Sequence, residues 1–327
     1  MTIKDLRDEI ADEVGSILSA DFQIGVVATD MVPHSADPAI TFPNLDAKKQ
    51  GAKLIDTCVL YIDIRRSTEL NLTHKPRTVA KLYSAFVRAM TRCARHHMGH
   101  VRGIIGDRVM VIFDRKDAFT NAVECAISMN AVSKYIINKH FTRGEVECGI
   151  GIDAGKMLAT KTGVRRKGVE QAAYRNLVWL GRPANVASKL TDLANKAEES
   201  VSLPIVSAAF QPPYFGLGTL PAWQWKEFYP SEFVRQLSID GGLNRIKHSD
   251  PTFQHMMILE KTIVTRPKTA PILMTETVWS GYKAANPHDS SVVNGWFKEI
   301  TGLKVPGYQG KVFSGDVIFT IFTEQQP

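Results

Sequence analysis

No stretch of this chain approaches the ~18 consecutive apolar residues of a membrane-spanning helix. Its start, MTIKDLRDEIADEVG, lacks the apolar centre of a signal peptide. Both absences lead to the expectation of a soluble, cytoplasmic protein with no membrane insertion. There is no CxxC pair: Cys58, Cys93, Cys125 and Cys148 are widely spaced, each inside an apolar pattern. They read as small core residues, and no zinc site is expected. Dense basic stripes are missing too. A net charge of +7 spread over 327 residues suits a small anionic ligand at least as well as nucleic acid, and no nucleic-acid partner is expected. With 44% apolar and 22% charged residues, the composition excludes disorder and fibrous repeats.

What is present is an alternation of apolar runs and helical periodicities. Leu6, Ile10, Val14 and Leu18 predict an amphipathic helix over 2–19. Residues 20–52, punctuated by Pro33, Pro38, Pro43 and Gly51, read as an extended connector. Residues 58–64 suit a buried strand. Leu82, Phe86, Met90 and Cys93 predict a helix over 76–97, stopped near Gly99. HVRGIIGDRVMVIF reads as a hairpin turning at Gly106-Asp107. A second helix is expected over 117–139, a strand pair around Asp153-Ala154-Gly155, and a strand over 176–181. A third helix is expected over 183–199, with Pro183 just inside its start. Further strands are expected over 258–264, 272–278 and 312–322. Tight turns between strands, interleaved with helices, favour an α+β fold with a mixed or antiparallel sheet.

Two carboxylates stand out. Asp63 closes the run CVLYI, and Asp107 sits in the turn of IIGDRVM. An aspartate in a hairpin is by itself an ordinary turn residue, but one that follows five apolar residues needs partners. A carboxylate at a strand end beside another at a hairpin tip supplies the oxygen pair with which magnesium is held, together with substrate phosphates. Amides after Asp63 suit phosphate oxygens. Asn185 and Lys189, four residues apart, share one helix face beside the apolar face of Val186, Leu190, Leu193 and Ala197. Taken alone they describe a solvated edge. His96 and His100 have i,i+4 spacing, but Gly99 interrupts it and no metal site is expected there. Arg165-Arg166-Lys167-Gly168 reads as a solvated loop.

Together, CVLYIDIRRST, GHVRGIIGDRVMVIF, CGIGIDAGKML and NLVWLGRPANVASKL resemble the class III nucleotidyl cyclase catalytic domain over roughly residues 54–200. One such motif would be weak; four in order and spacing are specific. The resemblance implies a ferredoxin-like mixed sheet flanked by helices and a head-to-tail homodimer with two shared sites. The chain is expected to divide into a helix and connector over 1–52, the catalytic domain over 53–240, and a strand-rich extension over 241–327 that either completes the same domain or builds a small dimer-facing extension. Carried over by position, Asp63, Asp107 and the Ile64 carbonyl would hold two Mg2+ or Mn2+ ions. Asn185 would orient the ribose and Lys189 would stabilise the transition state, both from the other protomer. The implied reaction is attack of the ribose 3′-oxygen on the α-phosphorus, which expels pyrophosphate.

The sequence departs from the purine-cyclase pattern at three places. The two base-reading positions, usually polar, are Gly103 and Val178, and Lys189 stands where arginine is usual. A polar base edge buried without partners costs on the order of 1–3 kcal/mol. The combination resembles the bacterial pyrimidine cyclases of antiphage signalling, which implies UTP, or less favourably CTP, as substrate and a separate effector as reader of the cyclic product. Arg102, Tyr61 and Trp179 are the candidates to fill the base pocket. The alternatives are an adenylate or guanylate cyclase with an atypical pocket, and a catalytically silent nucleotide-binding module. The GG[DE]EF turn of diguanylate cyclases is absent.

Overall fold

The computed structural model describes residues 2–142, 145–162, 177–211, 223–242 and 245–324. The elements run α1 (Ile3–Ile17), β1 (Gln23–Thr29), β2 (Lys49–Ile64), α2 (Ser67–Thr73), α3 (Pro76–His96), β3 (Gly99–Ile105), β4 (Arg108–Phe113), α4 (Ala118–Ala131), α5 (Asn138–His140), β5 (Cys148–Thr160), β6 (Val178–Leu180) and α6 (Arg182–Leu193). There follow β7 (Glu199–Phe210), β8 (Gln224–Phe228), α7 (Pro230–Val234), β9 (Leu237–Asp240), β10 (Arg245–His248) and β11 (Phe253–Arg266). The chain closes with β12 (Ile272–Thr275), α8 (Glu276–Ala285), α9 (Ser290–Val293), β13 (Lys298–Glu299) and β14 (Val312–Gly315).

Two units result, Met1–Ala197 with Lys268–Pro327, and Glu198–Pro267. The first carries, among the described residues, a nine-stranded mixed sheet ordered β13-β14-β12-β5-β2-β4-β3, with β1 on β2 and β6 on β5. The second holds a three-stranded sheet, β11-β7-β8, and the pair β10-β9 around Val206, Ala208, Phe210 and Phe233. The boundary expected at 240/241 therefore falls inside the second unit. Residues 268–327 return to the main sheet, where β12 lies parallel to β5.

The alternation of side chains along β2 and β5 decides which face is which. Cys58, Leu60, Ile62 and Ile64 join Ile150, Ile152 and Ala154 in the larger core. There α3 delivers Leu82, Phe86, Met90 and Cys93 from one face, each large side chain contributing about 1.5–3 kcal/mol on burial. The opposite face of the sheet receives α6. Gly151 makes that contact possible: a Cβ there would lie 2.3 Å from the Ala187 carbonyl oxygen and 2.4 Å from the Thr191 nitrogen. Helix and strand meet backbone to backbone.

Several expectations change. The connector contains β1, which pairs in parallel with the first half of a β2 that begins at Lys49. Residues 148–160 form one continuous strand instead of a pair, because β2 bonds along its length from Lys53↔Ala159 to Ile64↔Cys148. The helix expected over 117–139 gives way to a π-helical turn at Val132–Ile137. Helix α6 stops at Leu193 and does not reach 199, since Asn195 turns left-handed at φ 50 and the chain is tied to Ala270 and Thr269. The strand at 272 ends at Thr275, where α8 begins, and only Val312–Gly315 of the last run is extended.

Candidate active site

Because Ile62 and Ile64 face the larger core, Asp63 emerges on the face that α6 covers. Asp107, in the turn between β3 and β4, reaches the same place: its Oδ2 accepts the Ile64 amide at 3.2 Å. The two carboxyls lie close enough to share a hydrogen bond. Burial first, and the charge of Asp63 second, push Asp107 up to about 6. Asp107, held against a second carboxyl, forms with it a receptor for a cation.

The donor set tests which cation. It consists of oxygens, from Asp63, Asp107 and the Ile64 backbone, and among the described residues no cluster of three or more His, Cys, Asp or Glu side chains could hold a metal. Such a set fits a hard divalent ion that completes its shell with phosphate oxygens, and does not fit a structural zinc.

Arginines surround the pair. Arg108 Nη2 and Nε donate to Asp63 Oδ2 at 2.7 and 3.2 Å, Nη1 donates to Ser188 Oγ at 2.9 Å, and Nη2 also reaches Asp192 Oδ1. Arg65 donates to the carbonyls of Thr191 at 2.7 Å and Asp192 at 3.2 Å, at the carbonyl-bearing C-terminal end of α6. It passes over Gly149, whose absent Cβ would stand 2.4 Å from the guanidinium. Neither arginine was singled out from the sequence. The available signal was their adjacency in the chain to the two aspartates, with only Ile64 between Asp63 and Arg65.

Asn185 and Lys189 lie on α6 beside the face that carries Ser188 and Asp192. Asn185 is exposed and, among the described residues, meets no partner. Lys189 Nζ donates to the Pro306 carbonyl at 2.9 Å. Within one chain, then, the structure brings Asp63 and Asp107 together and leaves Asn185 and Lys189 without a hydrogen bond or ion pair to either. Beneath the start of α6, Asp153 is fully buried and accepts from Thr275 Oγ1 at 2.7 Å, with Arg182 at 3.6 Å from its other oxygen.

Gly103 sits at a β3 bulge opposite Met110, and Val178 pairs with Thr160 at the start of β6. A cavity of about 420 Å3 opens there, lined by His34, Arg102, Gly103, Leu177 and Trp179 among others. The Arg102 side chain donates to the Pro33 carbonyl at 3.0 Å. Trp179 Nε1 is buried and, among the described residues, has no partner. Tyr61 is packed beneath, its hydroxyl 2.8 Å from Met110 Sδ. Of the histidines, His97 bonds Ser128 at 2.7 Å while His100 meets Asp114 at 3.3 Å, so they serve separate partners. The run Arg165–Gly168 lies outside the described residues. All four cysteines are buried and free.

Residues 51–208 match the family described as the adenylate and guanylate cyclase catalytic domain. A curated relative named uridylate cyclase, from Burkholderia cepacia, is 29% identical over 196 residues, covering 58% of this chain and 79% of the relative. Another of that name, from Xanthomonas perforans, is 32% identical over 151 residues, 44% of this chain and 62% of the relative. Among solved structures, the adenylyl cyclase CyaB from P. aeruginosa overlaps 80% of this chain and 94% of its own at 14% identity and a TM-score of 0.46. No helix among the described residues is long and apolar enough to cross a membrane. The matched span, just under half of the chain, is also the one that carries Asp63, Asp107, Asn185 and Lys189, so the likeness to the cyclase catalytic domain takes in the whole candidate site.

Proposed function

We propose that this protein is a uridylate cyclase, with CTP the second choice, working as a head-to-tail homodimer with two shared sites. The observation that carries the reading is the meeting of Asp63 and Asp107 on one face of the sheet, where the Ile64 amide donates to Asp107 and burial and the charge of Asp63 oppose ionisation of Asp107. In the reaction the ribose 3′-oxygen bonds to the α-phosphorus, the bond from that phosphorus to the bridging oxygen breaks, and pyrophosphate leaves. The 3′-hydroxyl proton passes to solvent. Two Mg2+ or Mn2+ ions, held by Asp63, Asp107 and the Ile64 carbonyl, would make the 3′-oxygen more nucleophilic and neutralise phosphate charge.

The chain's own residues supply position and charge. Exposed Asn185 from the second protomer orients the ribose, and Lys189, released from Pro306, meets the negative charge that grows on the phosphates. Nucleophile and electrophile share one molecule, so orientation supplies much of the acceleration. A pyrimidine is favoured by the loss of both polar base readers and by the names of the relatives. The donors around the cavity (His34, Arg102 and Trp179) suit the two carbonyl acceptors of uracil. The cyclic product would be a second messenger in antiphage defence, read by a separate effector.

Purified protein is incubated with equimolar ATP, GTP, CTP and UTP plus manganese, and products are identified by mass spectrometry. Cyclic UMP is expected. Cyclic CMP would move the base assignment, and a purine product would overturn the reading of the pocket. No product would favour the silent nucleotide-binding module.

A further inference from the structure

Among the described residues, Arg108 is the one arginine that hydrogen-bonds both a carboxylate of the pair and α6. Its Nη2 lies 2.7 Å from Asp63 Oδ2, its Nη1 lies 2.9 Å from Ser188 Oγ, and Asp192 takes Nη2 as well. The side chains of Arg108 and Asp63 are only 24% and 18% exposed, so this contact is partly shielded from water, whereas Asp192 stands at 57%. The oxygen that Arg108 holds belongs to the carboxylate on which a divalent ion must bind. A planar guanidinium can serve several acceptors at fixed angles, which a lysine cannot.

We infer that Arg108 is a resident counter-ion of the metal carboxylates: it occupies Asp63 until a divalent ion displaces it, and Ser188 and Asp192 keep the displaced guanidinium on α6. This rests on the metal-site reading of Asp63 and Asp107. It makes Arg108 a positioning residue with two consequences. Metal affinity of the free protein is set by a competition inside the chain. Metal arrival also severs a tie between β2 and α6, the helix whose adjacent face carries Asn185 and Lys189. In the proposed dimer those two residues serve the other site, so loading one site alters the helix that completes its twin.

The test is Mn2+ binding to the full, nucleotide-free chain, followed by electron paramagnetic resonance, for wild type, Arg108→Gln, Arg108→Lys and Asp63→Asn. Far-UV circular dichroism checks that each is folded. Arg108→Gln should bind Mn2+ roughly two- to fivefold more tightly, the expected gain from removing one partly exposed ionic competitor. Arg108→Lys keeps the charge but cannot bridge Asp63 to both Ser188 and Asp192. It should retain most of that gain, whereas a simple field effect would leave it like wild type and overturn the inference.

Hydrogen exchange adds a readout that affinity does not give. Mn2+ should speed exchange of the amides in the last turn of α6 in wild type, and this response should be lost in Arg108→Gln. An equal response in both proteins would refute the coupling. If Asp63→Asn binds Mn2+ as wild type does, the metal-site reading itself fails. Loss of binding in Asp63→Asn with no gain in either Arg108 variant would overturn only the role of Arg108.

Discussion

Replacing Gly151 by alanine tests whether the backbone contact between β5 and α6 sets the geometry of the site. The added methyl would stand 2.3 Å from the Ala187 carbonyl oxygen, 2.4 Å from the Thr191 nitrogen and 2.7 Å from Thr191 Oγ1. Two of these three atoms are backbone, so no rotamer change relieves the clash. An ordinary carbon–oxygen contact lies near 3.3–3.6 Å, and α6 must therefore retreat by about 1 Å. Overpacking of this kind costs about 1–3 kcal/mol. At about 2–4 °C per kcal/mol for a unit of this size, the thermal midpoint should fall by roughly 2–12 °C.

The same retreat carries Asn185 and Lys189 with the helix, and a misplacement of about 1 Å lowers turnover on the order of 100-fold. The control is Gly15→Ala in α1, where a new methyl meets nothing within 4 Å. There the loss of backbone freedom in the unfolded chain gives a small gain of about 0.5–1 kcal/mol. Thermal melts by circular dichroism and cyclic-nucleotide yield by mass spectrometry read both effects. If Gly151→Ala melts and turns over like wild type, the close approach of helix and strand does not position the site.

In the absence of divalent ions, Asp107→Asn should stabilise the fold at pH 8. Asp107 is pushed up to about 6, so the stability linked to its proton is complete below about 4 and lost as pH rises through about 6. The gain of the asparagine variant should therefore shrink between pH 8 and pH 5, as melts in EDTA would show; a gain that grows on acidification would contradict the assignment. Mixing Asp63→Ala chains with Lys189→Ala chains should restore part of the activity lost by each, because one of the two hybrid interfaces is then intact. No recovery from stably mixed dimers would argue that each chain works alone.

How far the sequence alone reached depended on the range of the interactions involved. Local signals were enough for α1, α3, the β3–β4 hairpin at Gly106-Asp107 and the buried character of residues 58–64, because helical spacing, period-two alternation and turn residues act over a few positions. The four motifs were legible for the same reason, and they brought Asp63, Asp107, Asn185 and Lys189 onto the page. The misreadings came where distant strands overrode local pattern. Asp153-Ala154-Gly155 carries turn residues, yet its neighbours in β2 hold it extended. The prolines of 20–52 did not prevent Gln23–Thr29 from pairing with β2.

What only the tertiary structure decided are the contacts between residues far apart in the chain. Arg108 binds Asp63 from 45 positions away and Ser188 from 80, and Lys189 reaches Pro306 across 117. Nothing in a periodicity selects such partners. They are chosen by which faces of β2, β4 and β5 the alternation turns toward α6, and by how closely Gly151 lets that helix come. The residue types that chemistry requires were written locally; their meeting was settled by the packing of one helix on one sheet.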